Sequence, residues 1–301
     1  MASASSTRPV VSVITRTLGH LPFLNRVRAC LQDAAEAAVI DWVIVDDEIG
    51  GCPDLDCFAS DVAHAGIIEA RLVRSLGRHR AKAANAGLMA AQGDYIHFLD
   101  DDDQIHPVFY RDTIATLEQN ARVGAAAVKC ERVVERASQD GASFIELSRS
   151  VHYPEVSHIT LASLAVTQTT PLISILFRAE TLRKAGPFDV AFETCEDYEL
   201  LLRFLTVADI ALSRQVLASF HQREAPSARN GNSAVTNDFG TEITYFRNAM
   251  LRRDLSEGKL GLGWLLAIGE LSSGSFKTEK ILSQLYKINF FNFMFSILRT
   301  K

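Results

Sequence analysis

No stretch of this sequence offers the roughly 20 consecutive apolar residues that a bilayer-spanning helix requires, so a membrane-spanning helix is not expected. The opening Met1 to Thr7 is small and polar and lacks the apolar stretch of a signal peptide. Cysteine is sparse: Cys30, Cys52, Cys57, Cys130 and Cys195 are odd in number and scattered, without the CxxC pairs of a zinc site. Free cysteines of this kind suit a reducing cytosol, so a cytoplasmic protein is expected. Basic residues are in deficit, with a formal net charge of −5 and no basic stripe, which argues against nucleic-acid binding. Glycine-rich phosphate loops are also missing, because the segment after Ile14, Thr-Arg-Thr-Leu-Gly-His-Leu-Pro, holds a single glycine.

What is present is an ordinary globular balance, 48% hydrophobic and 22% charged over 301 residues. That suffices for one large domain, or one domain with an appendage. Val10 to Ile14, Asp41 to Val45, about Ile68 to Val73, and Tyr95 to Leu99 read as short buried strands. Between them lie helical patterns: one beginning near Pro22, one over Leu55 to Ala63, and an alanine-rich one over Arg80 to Ala91. Strands and helices alternating at this spacing imply βαβ units and a parallel sheet. A helix over Pro107 to Glu118 and strands over Ala125 to Val134 and Pro171 to Phe177 should continue the fold. Ala137 to Thr170 is mixed in pattern, and beyond Phe239 the chain turns helical.

Four consecutive aspartates, Asp100 to Asp103, follow directly on the Tyr95 to Leu99 strand. Adjacent like charges repel and need something positive beside them. A divalent cation answers that need with hard oxygen chemistry, and Mg²⁺ completes its shell from water and substrate phosphates. A solvated acidic loop capping the next helix is the blander account. A second acidic pair, Asp46-Asp47, ends the second strand. On a parallel sheet both clusters share the carboxyl edge, where open α/β sheets bind ligands.

In this arrangement the chain resembles the family-two glycosyltransferases, whose fold is the Rossmann-like GT-A nucleotide-sugar-binding fold. The matching pieces are Val11 to Thr17, Trp42 to Asp47, Ala84-Asn85-Ala86-Gly87 through Tyr95-Ile96, Phe98 to Asp103 with Pro107, and Gly186-Pro187-Phe188-Asp189 followed by Glu196-Asp197. The resemblance implies a GT-A domain over residues 1–235 (donor half about 9–135, acceptor half about 136–235) and a helical extension over 236–301. It further implies a DxD element in which Asp102 is the likelier direct ligand of Mn²⁺ or Mg²⁺. Asp100 would approach the ribose or a metal-bound water, with Asp101 among the nucleotide-sugar contacts. Asp47, or Asp46 beside it, would accept from the base, with Thr15, Arg16 and Thr17 shaping the pocket. Asp197 matches the catalytic base and His221 a position facing the metal or diphosphate; a structural histidine is an equal reading there.

Two departures from the family stand out. Many relatives carry an arginine where this chain has Ala84, before Asn85; Arg78, Arg80 or Lys82 are the candidates to replace its charge at the diphosphate. The QxxRW signature of processive synthases is absent, which points to addition of a single sugar.

The chemistry expected is transfer from a nucleoside-diphosphate sugar, UDP-linked by family habit, to a hydroxyl of a glycan or lipid-linked glycan, with inversion. A hydroxyl is a weak nucleophile at neutral pH and needs a base. Asp197 is assigned that role and Glu196 an orienting one. Surface-glycan synthesis of bacterial type is the expected setting. The rival readings are a nucleotidyltransferase, a receiver or phosphatase, and a degenerate transferase kept as a binding subunit. The carboxyl-terminal Ile288 to Leu298, rich in phenylalanine but interrupted by Asn289 and Asn292, is too short to cross a bilayer. It is expected to pack on the protein or a second subunit, or to lie in a membrane interface.

Overall fold

A computed structural model describes residues 8–64, 68–75, 77–138, 143–224 and 239–272. The aromatic segment Ile288 to Leu298 lies outside them. The first half of the chain is β1 (Val10–Thr17), α1 (Leu21–Ala34), β2 (Val39–Asp46), α2 (Asp54–His64), β3 (Ile68–Arg74), α3 (Arg80–Ala90) and β4 (Tyr95–Phe98). Next come β5 (Gln104–Ile105), α4 (Phe109–Gln119), β6 (Val123–Ala137), β7 (Phe144–Val151) and α5 (Leu161–Val166). A 3-10 turn (Leu172–Ser174), β8 (Ile175–Arg178), α6 (Ala179–Ala185), α7 (Glu196–Phe204) and β9 (Asp209–Arg223) follow, then α8 (Phe239–Glu257) and α9 (Leu262–Ser272).

One sheet runs in the order β3-β2-β1-β4-β8-β6-β9-β5, with β7 added to β6. β3, β2, β1 and β4 are mutually parallel. β8 is antiparallel to both its neighbours, and β9 runs parallel to β6. The sheet is therefore mostly parallel. Ile40, Trp42, Val43, Ile44 and Val45 are fully buried, as a strand covered on both faces must be. An apolar run interrupted only at Asp41 is the cause. α3 lies tight against β1 and β2 because Gly87 has no side chain; a Cβ there would sit 2.3 Å from Ile14 Cγ2.

The expected strand from Pro171 is shorter than its apolar run. Pro171 instead opens a turn that the Ser174 hydroxyl closes by donating to the Pro171 carbonyl at 2.7 Å, so β8 starts at Ile175. The mixed stretch after Ala137 contains β7, whose residues are exposed almost throughout. With neither face buried, no alternation marks it in sequence. Two compact units are distinguished, one of Met1–Leu161 with Gln168–Phe246 and one of Ala162–Thr167 with Arg247 onward. No helix of the described residues is long and apolar enough to cross a membrane.

Candidate active site

Parallel register brings the acidic strand ends to one edge. Thr17 is level with Asp46 across β1 and β2, and Ile14 is level with Phe98 across β1 and β4. The Leu99 N–H still donates to the Ile14 carbonyl at 3.0 Å. Asp100 therefore emerges beside Arg16, and that neighbour decides its environment.

Arg16 makes a forked contact with Asp100, Nε and Nη2 lying 3.0 and 2.8 Å from Oδ1. Its Nη1 donates to Glu196 Oε1 at 2.9 Å. Arg80, from the first turn of α3, donates to the same Glu196 oxygen at 2.8 Å and reaches 3.6 Å from Asp100. Two arginines thus join the aspartate motif after β4 to the first turn of α7. Burial works against the Glu196 charge, yet Arg80 and Arg16 outweigh it and hold this carboxyl below its ordinary range. Asp100 is depressed in the same way, burial being overcome by Arg16 and then Arg80. Of the basic residues near Ala84, Arg80 reaches the cluster, whereas Arg78 is exposed and engages Glu48 at 2.8 Å.

The remaining aspartates take separate partners. Thr17 donates its hydroxyl to Asp101 Oδ2 at 2.6 Å. Asp102 pairs with Arg223 of β9. Asp103 accepts the His221 backbone N–H at 2.9 Å. Burial, with Asp102 next to it, pushes Asp101 up to about 8; burial and then Asp102 and Asp100 raise Asp103 well above its usual range. The positive charge that the aspartate run demands is supplied here by Arg16, Arg80 and Arg223. Sequence reasoning missed Arg223, although a period of two places it on the same face of β9 as His221.

Asp197 follows Glu196 on α7 and faces a different partner. Gln168 donates its amide to Asp197 Oδ2 at 2.9 Å. Burial, and after it the adjacent Glu196, raises the Asp197 pKa. Before the helix, Cys195 is buried with φ at +69°, a left-handed conformation that a non-glycine residue adopts at a cost.

Several candidates serve the fold at the cleft edge. The Thr15 hydroxyl is fully buried and accepts the Trp42 indole N–H at 2.9 Å, so its side chain belongs to the core. Asp46 accepts the backbone N–H groups of Glu48 at 3.1 Å and Cys52 at 2.8 Å, which shapes its own loop. Asp47 differs: its buried Oδ1 has no hydrogen-bond partner among the described residues, and burial raises its pKa. Asn85 uses its amide to bond both the carbonyl and the N–H of Phe188, at 2.9 and 2.8 Å. His221 is buried with Nδ1 3.0 Å from Glu135 and 2.8 Å from Arg26.

No group of three His, Cys, Asp or Glu side chains among the described residues could hold a metal by itself. The donor set still fits Mn²⁺ or Mg²⁺. Such ions take one or two carboxylates and complete their shell with water and phosphate oxygens, and Asp100 and Asp102 offer hard oxygens at the sheet edge.

A curled, mostly parallel sheet with an aspartate cluster at its carboxyl edge defines the GT-A class of nucleotide-sugar-binding folds. The model of the family described as "Glycosyl transferase family 2" matches residues 25–195, more than half the chain, and the chain belongs to that family. It is similar to an uncharacterized glycosyltransferase of Haemophilus influenzae, 28% identical over 127 residues, which are 42% of this chain and 40% of the relative. The chain thus matches less than half the length of that curated relative. Among solved structures, S. aureus TarS 1-349 in complex with UDP-GlcNAc shares the fold with a TM-score of 0.59 at 14% identity, over 80% of this chain and 66% of that one. The mannosyltransferase PcManGT from Pyrobaculum calidifontis, in complex with GDP-Man and Mn2+, does so with a TM-score of 0.53 at 15% identity, over 94% and 81%.

Proposed function

We propose that this protein transfers a sugar from a nucleoside-diphosphate donor to an acceptor hydroxyl, one sugar at a time and with inversion. The observation that carries this reading is the pair of arginine bridges, Arg16 and Arg80, each reaching from Asp100 to Glu196. They make the aspartate motif and the helix bearing Asp197 two walls of one cleft. Separation of leaving-group and nucleophile machinery onto opposite walls is what a single displacement needs.

Asp197 takes the proton of the acceptor hydroxyl. Its pKa, raised by burial and Glu196, makes it a stronger base than an ordinary carboxylate. Gln168 donates to Oδ2 and the Tyr198 N–H to Oδ1, so the carboxylate is oriented from both sides. Glu196, locked between two guanidinium groups, holds the arginines in place and is unsuited to proton transfer. Asp47, whose buried Oδ1 has no hydrogen-bond partner among the described residues, is the acid that accepts from the base of the nucleotide. Arg16 and Arg80 would meet the diphosphate, Asp100 the ribose or a bound water, and Asp101 and Thr17 would line the donor side; Asp102, with His221, would hold the cation. A bound Mn²⁺ or Mg²⁺ would stabilise charge developing on the diphosphate.

UDP is the favoured nucleotide. The UDP-GlcNAc and GDP-Man complexes of proteins with this fold support a nucleoside-diphosphate sugar and leave the base to experiment. A glycan or lipid-linked glycan, as in bacterial surface-glycan synthesis at the cytoplasmic face of a membrane, is the acceptor class. The GT-A domain is assigned to residues 1–235 and the extension to 236–301.

The test is thermal stability against UDP, GDP and their sugars, with and without Mn²⁺, for the native protein and Asp102→Asn. Saturating ligand at a hundredfold excess over its dissociation constant adds roughly 2.7 kcal/mol by mass action. A metal-dependent rise with one base, lost in the variant, is expected. No rise with any nucleotide would refute the donor site.

A further inference from the structure

Asp102 is engaged in this structure, and its partner is itself held on three sides. Arg223 is 5% exposed and pairs through Nη2 with Asp102 and through Nη1 with Glu135 Oε1, the latter at 2.8 Å. Glu135 is its cross-strand neighbour on β6 and also takes Arg26 at 3.1 Å and the His221 ring at 3.0 Å. The Arg223 guanidinium lies 4.6 Å from the centre of the Phe23 ring and 5.8 Å from that of Phe144, a distance at which a cation is attracted to the ring face. Phe144, at the start of the otherwise exposed β7, is itself stacked on Phe23 at 4.9 Å. Arg223 is therefore a fixed cation, not a side chain that swings freely over the cleft.

We propose that Arg223 is a built-in counter-cation for Asp102, which it occupies in the donor-free protein and yields when a divalent cation arrives with the donor's phosphates. This inference rests on the reading of Asp102 as a metal ligand. A carboxylate oxygen bound to a guanidinium is a poorer ligand for a hard cation than a free one, so Arg223 weakens capture of the ion alone. Release is gentle because Glu135 and the two rings retain Arg223 after Asp102 has left it. Phosphate oxygens bring both further ligands for the cation and negative charge for the guanidinium. Metal and nucleotide are then taken up together, and a bare ion is discouraged. Arg223 is a positioning residue on this account, acting through Asp102 and β9.

The experiment is titration of Mn²⁺ alone, and of Mn²⁺ with UDP or GDP, followed by the electron paramagnetic resonance signal of free Mn²⁺. Arg223→Met keeps the apolar stem against Phe23 and removes the charge. It is expected to bind Mn²⁺ alone on the order of tenfold more tightly than the native protein, as the measured strength of close charge pairs suggests. The gain should vanish in Arg223→Met combined with Asp102→Asn. Glu135→Gln tests the idea with the opposite sign, and still does so should Arg223→Met fail to fold: freed from Glu135, Arg223 belongs wholly to Asp102 and Mn²⁺ alone should bind more weakly. Equal or weaker Mn²⁺ binding in Arg223→Met, a gain that survives Asp102→Asn, or unchanged or tighter binding in Glu135→Gln overturns the proposal. If the native protein takes up Mn²⁺ with nucleotide through Asp102 while any of these holds, only the counter-cation role falls. If Asp102→Asn has no effect on Mn²⁺ uptake with nucleotide, the metal-ligand reading falls with it.

Discussion

His97 lies in the middle of β4, three residues before the aspartate motif, and is fully buried. Its Nε2 is 2.7 Å from the Ile173 carbonyl, which can only accept, so that nitrogen carries the proton. Nδ1, 2.9 Å from the Tyr110 hydroxyl, is then the acceptor. A second proton on the ring would force the Tyr110 hydroxyl to turn from donor to acceptor and place a charge in a dry core, and burial lowers the His97 pKa from 6.5 to about 4. In the unfolded chain the ring titrates near 6.5. Between these values the unfolded state binds more protons than the folded one, so stability rises with pH across the window. The contribution is complete above about 6.5 and is lost as pH falls toward 4, amounting to about 3 kcal/mol in full. Urea unfolding of the native protein and of His97→Gln, from pH 7.5 to 4.5, isolates it from the carboxylates that titrate in the same range. Glutamine can still donate to the Ile173 carbonyl but has nothing to titrate. The native protein is expected to lose about 2 to 3 kcal/mol more than the variant over that range. Parallel curves would refute the neutral-histidine reasoning.

Four further outcomes follow from the site and the packing. Asp197→Asn should lower kcat by between about 10²- and 10⁴-fold, the usual span for a lost general base, while leaving the nucleotide-induced thermal shift intact. Glu196→Gln should instead reduce stability and donor binding, because Arg16 and Arg80 lose a shared partner; the reverse pattern would exchange the two roles. Gln168→Leu removes a hydrogen bond that holds the Asp197 pKa down against burial and Glu196, with Arg80 and the Tyr198 N–H as the other stabilising groups. The acidic limb of the kcat/KM profile should therefore move to higher pH; an unmoved limb would remove Gln168 from the mechanism. Gly87→Ala drives a methyl into Ile14 and Val45, and chemical denaturation should show a loss of about 1 to 3 kcal/mol from overpacking.

The first half of the fold was legible because β1, β2 and β4 are buried on both faces and helices sit between the strands at even spacing. Val10 to Ile14 and Tyr95 to Leu99 are apolar but for Ser12 and His97, and such runs announce themselves. β7 could not be read, since its residues face water and its pairing with β6 is made through the backbone. Pro171 misled as the start of a strand because local turn closure by Ser174 leaves no mark in hydrophobicity. The acidic edge was visible for a topological reason: parallel strands must end on the same side, so Asp46-Asp47 and Asp100 to Asp103 had to converge.

Sequence alone determined the family, the doubly covered parallel core, and the presence of an acidic cluster needing positive charge. It could not determine where that charge comes from. Arg16 is 84 residues from Asp100, Glu196 is 180 from Arg16, and Arg223 is 121 from Asp102. Contacts over such separations depend on which strands pair and in what register. That Arg80 rather than Arg78 reaches the acidic cluster likewise follows from side-chain direction at the sheet edge. Local pattern sets which residues can form an element; only the packed sheet decides which of their charges meet.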